Sequence, residues 1–186
     1  YPAPGQPQLA NDIYNQLENT GINATMDGDR GFDHGLFVPL KLIFPEADIP
    51  CLQLSLVKGL DPQSHINLGR ALYSLKKQDV LIVGSGMSFH NMRAFFNRSD
   101  TNDQRDETFD QWLVKICCSE DFTVAERDHE LINWEQAPSA RYCHPREEHL
   151  LPLHVCYGAA GVDGPPAELV FNNTVLGKKV SAFLWS

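Results

Sequence analysis

The sequence has no run of roughly eighteen apolar residues, so it offers no helix able to cross a bilayer. It shows no signal-peptide pattern. Cationic side chains are few: 15 Lys and Arg stand against 24 Asp and Glu, giving a formal charge of −9 and a pI near 5.1. Nucleic-acid binding requires phosphates to be neutralised, so an acidic chain excludes that class of partner. The five cysteines (Cys51, Cys117, Cys118, Cys143 and Cys156) include no Cys-x-x-Cys pair, and their number is odd. Disulfide frameworks use even numbers of cysteines and thiolate zinc sites use paired spacings, so reduced thiols in a cytoplasmic protein are expected. Internal repeats and linkers are also missing, and the 186 residues read as a single domain, 1–186.

Several familiar catalytic signatures are absent. No His-Glu-x-x-His occurs. Val83-Gly84-Ser85-Gly86-Met87 is not a Gly-x-Ser-x-Gly nucleophile elbow, because Val83 and Met87 stand where glycines are required. It is not a Walker loop either, since no Gly-Lys-Ser/Thr follows. Glu147-Glu148-His149 followed by His154 is not a helical metal pair, because residues five apart on a helix point about 140° apart.

What remains is a globular composition, 42% apolar and 21% charged, organised around residues 79–93. Four apolar residues, 80–83, suit a strand buried on both faces in an α/β sheet. Gly84 and Gly86 let the backbone turn and approach other groups closely. His90, Asn91 and Arg93 follow, in the position beyond a strand's carboxyl end where α/β sheets bind ligands.

The rest of the chain alternates around that stretch. Leu9, Ile13 and Leu17 mark an amphipathic helix ending near Gly21. A short strand is expected over 22–26 and a helix over 36–44, with Pro39 tolerable only near the first turn. A core strand is expected over 49–57. Asp61 then caps a helix with Pro62 at its first position, and His65, Leu68, Leu72 and Leu75 line one face. Residues 97–107 read as a polar loop. Helices follow over 109–118, 124–134 and 147–157, with Pro152 in the first turn or at a kink of the last. Residues 138–145 read as irregular, and two late strands are expected over 167–172 and 180–185. The order predicts an α/β protein: a twisted mixed sheet with helices on both faces.

Seven histidines punctuate this pattern: His34, His65, His90, His129, His144, His149 and His154. His65 belongs to a helix face, and His129 lies in a charged helix. Spacing alone leaves His34, His90, His149 and His154 open between a metal site, a catalytic cluster and separate structural histidines.

A set of ordered motifs adds more. Tyr1-Pro2-Ala3-Pro4-Gly5, Gly31-Phe32-Asp33-His34-Gly35, Phe44-Pro45-Glu46-Ala47-Asp48-Ile49-Pro50 and Gln53-Leu54-Ser55 come first. Gly84-Ser85-Gly86 with His90-Asn91-Met92-Arg93, and Glu148-His149-Leu150-Leu151-Pro152-Leu153, complete them. Together they resemble the DODA-type (4,5-DOPA-like) branch of the class III extradiol ring-cleaving dioxygenases, from Tyr1 to about Gly161. The resemblance implies an enzyme that inserts both atoms of O2 beside the diol of a catechol, opening the ring to a muconic semialdehyde. It implies one divalent metal, Fe(II) or Zn(II), and a catechol-type small molecule as partner.

Carried over motif by motif, His149 matches a metal ligand, and His90 matches a ligand or the catalytic acid/base. His34 matches a catalytic histidine beside substrate and O2. His154 is assigned packing or a hydrogen bond, and Arg93 is divided between a substrate carboxylate and a structural ion pair. Two further histidine ligands of the family lie in His-Gly-Ser-Pro-like and Ser-Ala-His-Trp-like motifs, and neither occurs here. The chain also opens on Tyr1 rather than methionine. The resemblance therefore implies an N-terminally truncated, C-terminal portion of the domain, with an incomplete donor set and N-terminal strands missing. A sheet opened in this way implies self-association. The alternative expectation is a natural short form without catalysis, acting as a binding or interaction protein.

Overall fold

A computed structural model describes residues 1–96 and 103–186. The first helix, α1 (Pro7–Asn19), buries Leu17 and stops at Thr20, whose hydroxyl donates to the Leu17 carbonyl. Helix α2 (His34–Ile43) is capped by Asp33, whose carboxylate accepts from the Gly35 N–H at 2.9 Å. It starts two residues earlier than the sequence predicts, which puts Pro39 past its first turn, where the proline withholds one helical N–H. Helix α3 (Pro62–Ala71) has the expected cap, with Asp61 accepting from the Ser64 N–H at 2.8 Å, and continues into a 3-10 turn, Tyr73–Lys77.

The chain then gives α4 (Met92–Phe96), α5 (Arg105–Cys118), α6 (Val124–Ile132), the short α7 (Ala140–Cys143) and α8 (Leu151–Ala160). Pro152 falls in the first turn of α8, where its lost N–H is harmless. A hairpin of β1 (Glu168–Val175) and β2 (Lys178–Leu184) closes the chain, antiparallel, with a register shift between Leu169 and Phe171. Part of the expected 97–107 loop, residues 97–102, lies outside the described residues, and Arg105 onward is already helical. Residues 140–143, expected to be irregular, form α7. Among the described residues no helix is long and apolar enough to cross a membrane.

The protein is mixed α/β, as the sequence implies, but the expected early strands are not part of a ladder. Among the described residues the only sheet is the β1–β2 hairpin. Residues 49–57 contribute one parallel bridge, Gly5 to Cys51. Residues 80–83 are extended without a strand partner. Val80 and Ile82 pack with Leu17, Leu68, Leu72 and Leu75, while Leu81 and Val83 are 67% and 46% exposed. The period of two is a strand's, but only one face is covered, because a strand acquires its ladder from neighbours that these residues do not supply.

Two further clusters fill the interior. Phe89, Phe95, Phe109, Leu113, Trp134 and Val180 form one beneath the hairpin, and Ile66, Ile116, Leu131 and Tyr157 form the other. Helix α5 carries two carboxylates toward the hairpin. Asp106 takes Lys178 Nζ at 3.2 Å and the Lys179 N–H at 2.7 Å, and Asp110 takes Asn172 Nδ2 at 2.8 Å and Ser181 Oγ at 2.5 Å. Glu107 is left at the surface on the same turn. Lys178 also reaches Asp103 at 3.3 Å, so its buried ammonium has two carboxylates beside it. Removing one partner from such a set leaves an uncompensated charge, which is why it locks the hairpin in one position.

Helices α3 and α8 cross in backbone contact. A β-carbon on Gly69 would lie 2.1 Å from the Val155 carbonyl oxygen, and one on Gly158 would lie 2.2 Å from that of Ile66. Gly158→Ala is therefore expected to push the helices apart and lower stability by about 1–3 kcal/mol in urea denaturation. Gly28→Ala, with nothing within 4 Å of its added carbon, is the control and should change stability by no more than about 0.5 kcal/mol. Equal midpoints for the two variants would refute the close crossing.

Candidate functional site

The site is built where the extended segment meets the start of α8. A β-carbon on Gly86 would lie 2.2 Å from the His149 carbonyl oxygen, and one on Gly84 would lie 2.6 Å from Cys156 Sγ. Only glycine permits that approach. The N-terminus of α2 comes to the same place, since a β-carbon on Gly35 would be 3.9 Å from Ser85 Oγ. His34, the first residue of α2, is thereby delivered, exposed, beside Gly84-Ser85-Gly86.

Beyond Gly86 the backbone bonds to residues 143–149 instead of to a strand. The Met87 N–H donates to the His149 carbonyl at 3.0 Å, and the His90 N–H donates to the Cys143 carbonyl at 2.9 Å. His144 Nε2 lies 2.8 Å from the Ser88 carbonyl. A carbonyl only accepts, so that nitrogen carries the proton. Asn91 donates from Nδ2 to the Tyr142 carbonyl at 2.7 Å and accepts the Ala94 N–H at 3.1 Å, capping α4. From the hairpin side, the Ser181 N–H donates to Ser88 Oγ at 2.8 Å.

This lacing brings the His90 and His149 rings into a stack, with centroids 3.4 Å apart and planes at 15°. Burial pushes both imidazole pKa values below their ordinary value. For His149 the neighbouring His90 adds to the effect, and His34 contributes in the same direction. The nearby Glu148 carboxylate opposes it at both rings. Neutral imidazoles at pH 7 accept protons or donate lone pairs to a metal.

The pair fits iron or zinc in kind, since imidazole suits both. It does not fit in number. Zinc sites use about three or four protein donors, and among the described residues no three His, Cys, Asp or Glu side chains gather to hold an ion.

The remaining histidines separate clearly. His65 is fully buried, with Nδ1 donating to the Asp61 carbonyl at 2.7 Å and Nε2 accepting the Val57 N–H at 3.1 Å, so it ties the 49–57 segment to α3. His154 is also fully buried, with Nε2 2.9 Å from the Leu131 carbonyl, in the packing and hydrogen-bonding role expected of it. His129 meets Asn133 on α6. Arg93 is exposed on α4. The sequence reading passed over His144. Its only local signal is the Pro145 that follows and its place five residues before His149.

A mixed α/β scaffold that presents two neutral imidazoles in ring contact, at the end of an extended segment, is the framework of a histidine-based metal or acid–base site. Over residues 1–183 the chain matches the family described as the catalytic LigB subunit of aromatic ring-opening dioxygenase, and it belongs to that family. It is 41% identical over 176 residues to the 4,5-DOPA dioxygenase extradiol of Beta vulgaris, covering 93% of this chain and 63% of the relative. The corresponding protein of Portulaca grandiflora is 42% identical over 174 residues, covering 92% of this chain and 62% of the relative. The chain thus spans about three fifths of the length of these relatives. A crystal structure of an uncharacterised protein from Escherichia coli K12 superimposes with a TM-score of 0.81 at 30% identity, covering 98% of this chain and 73% of that one.

Burial lowers the pKa of His144 and of His154 from 6.5 to about 4. The folded state therefore holds both neutral, while the unfolded state protonates them near the ordinary value. Stability is fully present above about pH 6.5 and falls as the pH drops toward 4, by on the order of 3 kcal/mol for each histidine. Urea midpoints measured from pH 7 to pH 4 should decline across that window. A flat profile would show that these rings are not held neutral by the fold.

Proposed function

We propose that the protein is an extradiol dioxygenase that opens a catechol-type ring with O2 at a divalent iron or zinc ion, and that residues 1–186 form one domain of it. The observation that carries the reading is the His90–His149 ring contact in a chain of this family. His149 is a metal donor, and His90 is a donor or the base that takes a catechol proton. His34 stands beside the substrate. A phenolic hydroxyl titrates near pH 10, so its proton moves only to a base that is free when the substrate arrives. Burial keeps His90 in that free form. Two imidazoles are too few to hold iron or zinc, so donors beyond His90 and His149 are required for the metal to bind catechol and O2.

The small donor set, together with the exposure of Leu81 and Val83, supports a second reading. In it the protein is non-catalytic and binds partners or itself through the uncovered apolar side of the extended segments.

Protein from its natural source, given Fe(II) and a catechol in air, is expected to form a yellow ring-opened product. His90→Ala and His149→Ala should each lower kcat by about 10²–10⁴-fold, while His129→Ala should leave it within about twofold, as expected for a surface change away from the site. Absence of product with every catechol tested, using Fe(II) or Zn(II), sinks the catalytic reading. Sedimentation tests self-association in the second one: a concentration-dependent dimer that Leu81→Glu dissociates supports it, and a monomer at all concentrations rejects self-association.

A further inference from the structure

We infer that His144 is a positioning residue for the His90–His149 pair, acting through a hydrogen bond to the backbone of the segment that carries His90. The inference rests on the assignment of those two rings to the site.

The two nitrogens of the His144 ring are unequally used. The ring is fully buried, yet only one of its nitrogens is used. Nε2 donates to the Ser88 carbonyl at 2.8 Å, while Nδ1 is buried without a partner. A buried polar atom without a partner costs free energy that an apolar side chain of similar size would not incur. The space between Phe109 and Trp134, with centroids 5.3 Å and 6.0 Å away, suits such a side chain. The imidazole is explained by what its used nitrogen does.

Ser88 is held on three sides. His144 grips its carbonyl, the Ser181 N–H bonds its hydroxyl, and its neighbour Met87 bonds the His149 carbonyl. Two residues on, the His90 N–H bonds the carbonyl of Cys143, the residue before His144. Residues 143 and 144 therefore grip the segment at His90 and at Ser88, one through a backbone carbonyl and the other through a side chain. Five residues later the same stretch supplies His149. With Nε2 withdrawn, the Ser88 carbonyl would be left buried and unpaired, and the segment would have one fewer constraint setting the height of the His90 ring over the His149 ring. Phe109 and Trp134 fix the imidazole plane, so the donor direction is set before the segment docks.

Glutamine and asparagine separate this role from packing. Glutamine places its carboxamide nitrogen where Nε2 stands, whereas asparagine places it near the Nδ1 position, where no acceptor waits. In the 186-residue chain, His144→Gln should keep the nuclear Overhauser contacts between the two rings and the exchange protection of the Met87 and His90 amides. His144→Asn should lose the ring contacts, and protection should fall at least about tenfold, as expected for one buried hydrogen bond. A folded His144→Asn protein with the ring contacts intact overturns the inference.

If His144→Asn does not fold, the ring nitrogen shifts of the unsubstituted protein decide. A slowly exchanging proton on His144 Nε2 supports the role, and a proton on Nδ1 overturns it. None of these readouts depends on turnover, so a failure here is distinct from a failure of the catalytic reading.

Discussion

The backbone polar groups of residues 84–91 dominate this structure. The segment continues the apolar run 80–83, but no strand beside it among the described residues offers a ladder. Buried N–H and C=O groups must still find partners. Here they find them in the carbonyls of Cys143 and His149 and the imidazole of His144, while the Asn91 and Ser88 side chains bond the Tyr142 carbonyl and the β2 backbone. Meeting that demand brings the segment against the start of α8, and the same contacts stack His90 on His149. Gly84 and Gly86 are required for the approach, because any side chain there would collide with Cys156 or the His149 carbonyl.

The electrostatics follow from the same packing. Rings removed from water resist protonation, so His90 and His149 are shifted in the direction that suits a base or a donor. His144 and His154 are shifted further because they are wholly enclosed. The hairpin participates at a distance. Asp103, Asp106 and Asp110 hold Lys178, Asn172 and Ser181, and Ser181 in turn holds Ser88. A chain of polar contacts thus runs from α5 through β2 to the residue two before His90.

The outward side of the extended segments carries the opposite signal. Leu81 and Val83 face away from the cluster that Val80 and Ile82 complete, and Phe37, Leu42 and Ile43 on α2 are also exposed. An apolar surface of this kind calls for a cover. It lies on a chain that spans about three fifths of its relatives' length, and among the described residues the donor set stops at two imidazoles.

Local patterns were legible in the sequence. The stripe of Leu9, Ile13 and Leu17 specifies α1, Asp61-Pro62 specifies the start of α3, and the late alternation specifies the hairpin, because capping and periodicity act over a few residues. The ordered motifs around His34, His90 and His149 were equally visible. Ladder formation was not, since residues 80–83 and 49–57 carry strand composition but pairing depends on neighbours remote in the chain. Nor was His144: its role comes from a carbonyl 56 residues away and from two aromatic rings that only folding places beside it. By itself the sequence determined the helices marked by a cap or an apolar stripe, though not α7, which residues have the chemistry for a site, and to which family the motifs belong. Tertiary structure alone decided that two histidines 59 positions apart share one stack, that a third holds their backbone, and that the apolar run is covered on one face, because these depend on long-range hydrogen bonds and packing that no local pattern encodes.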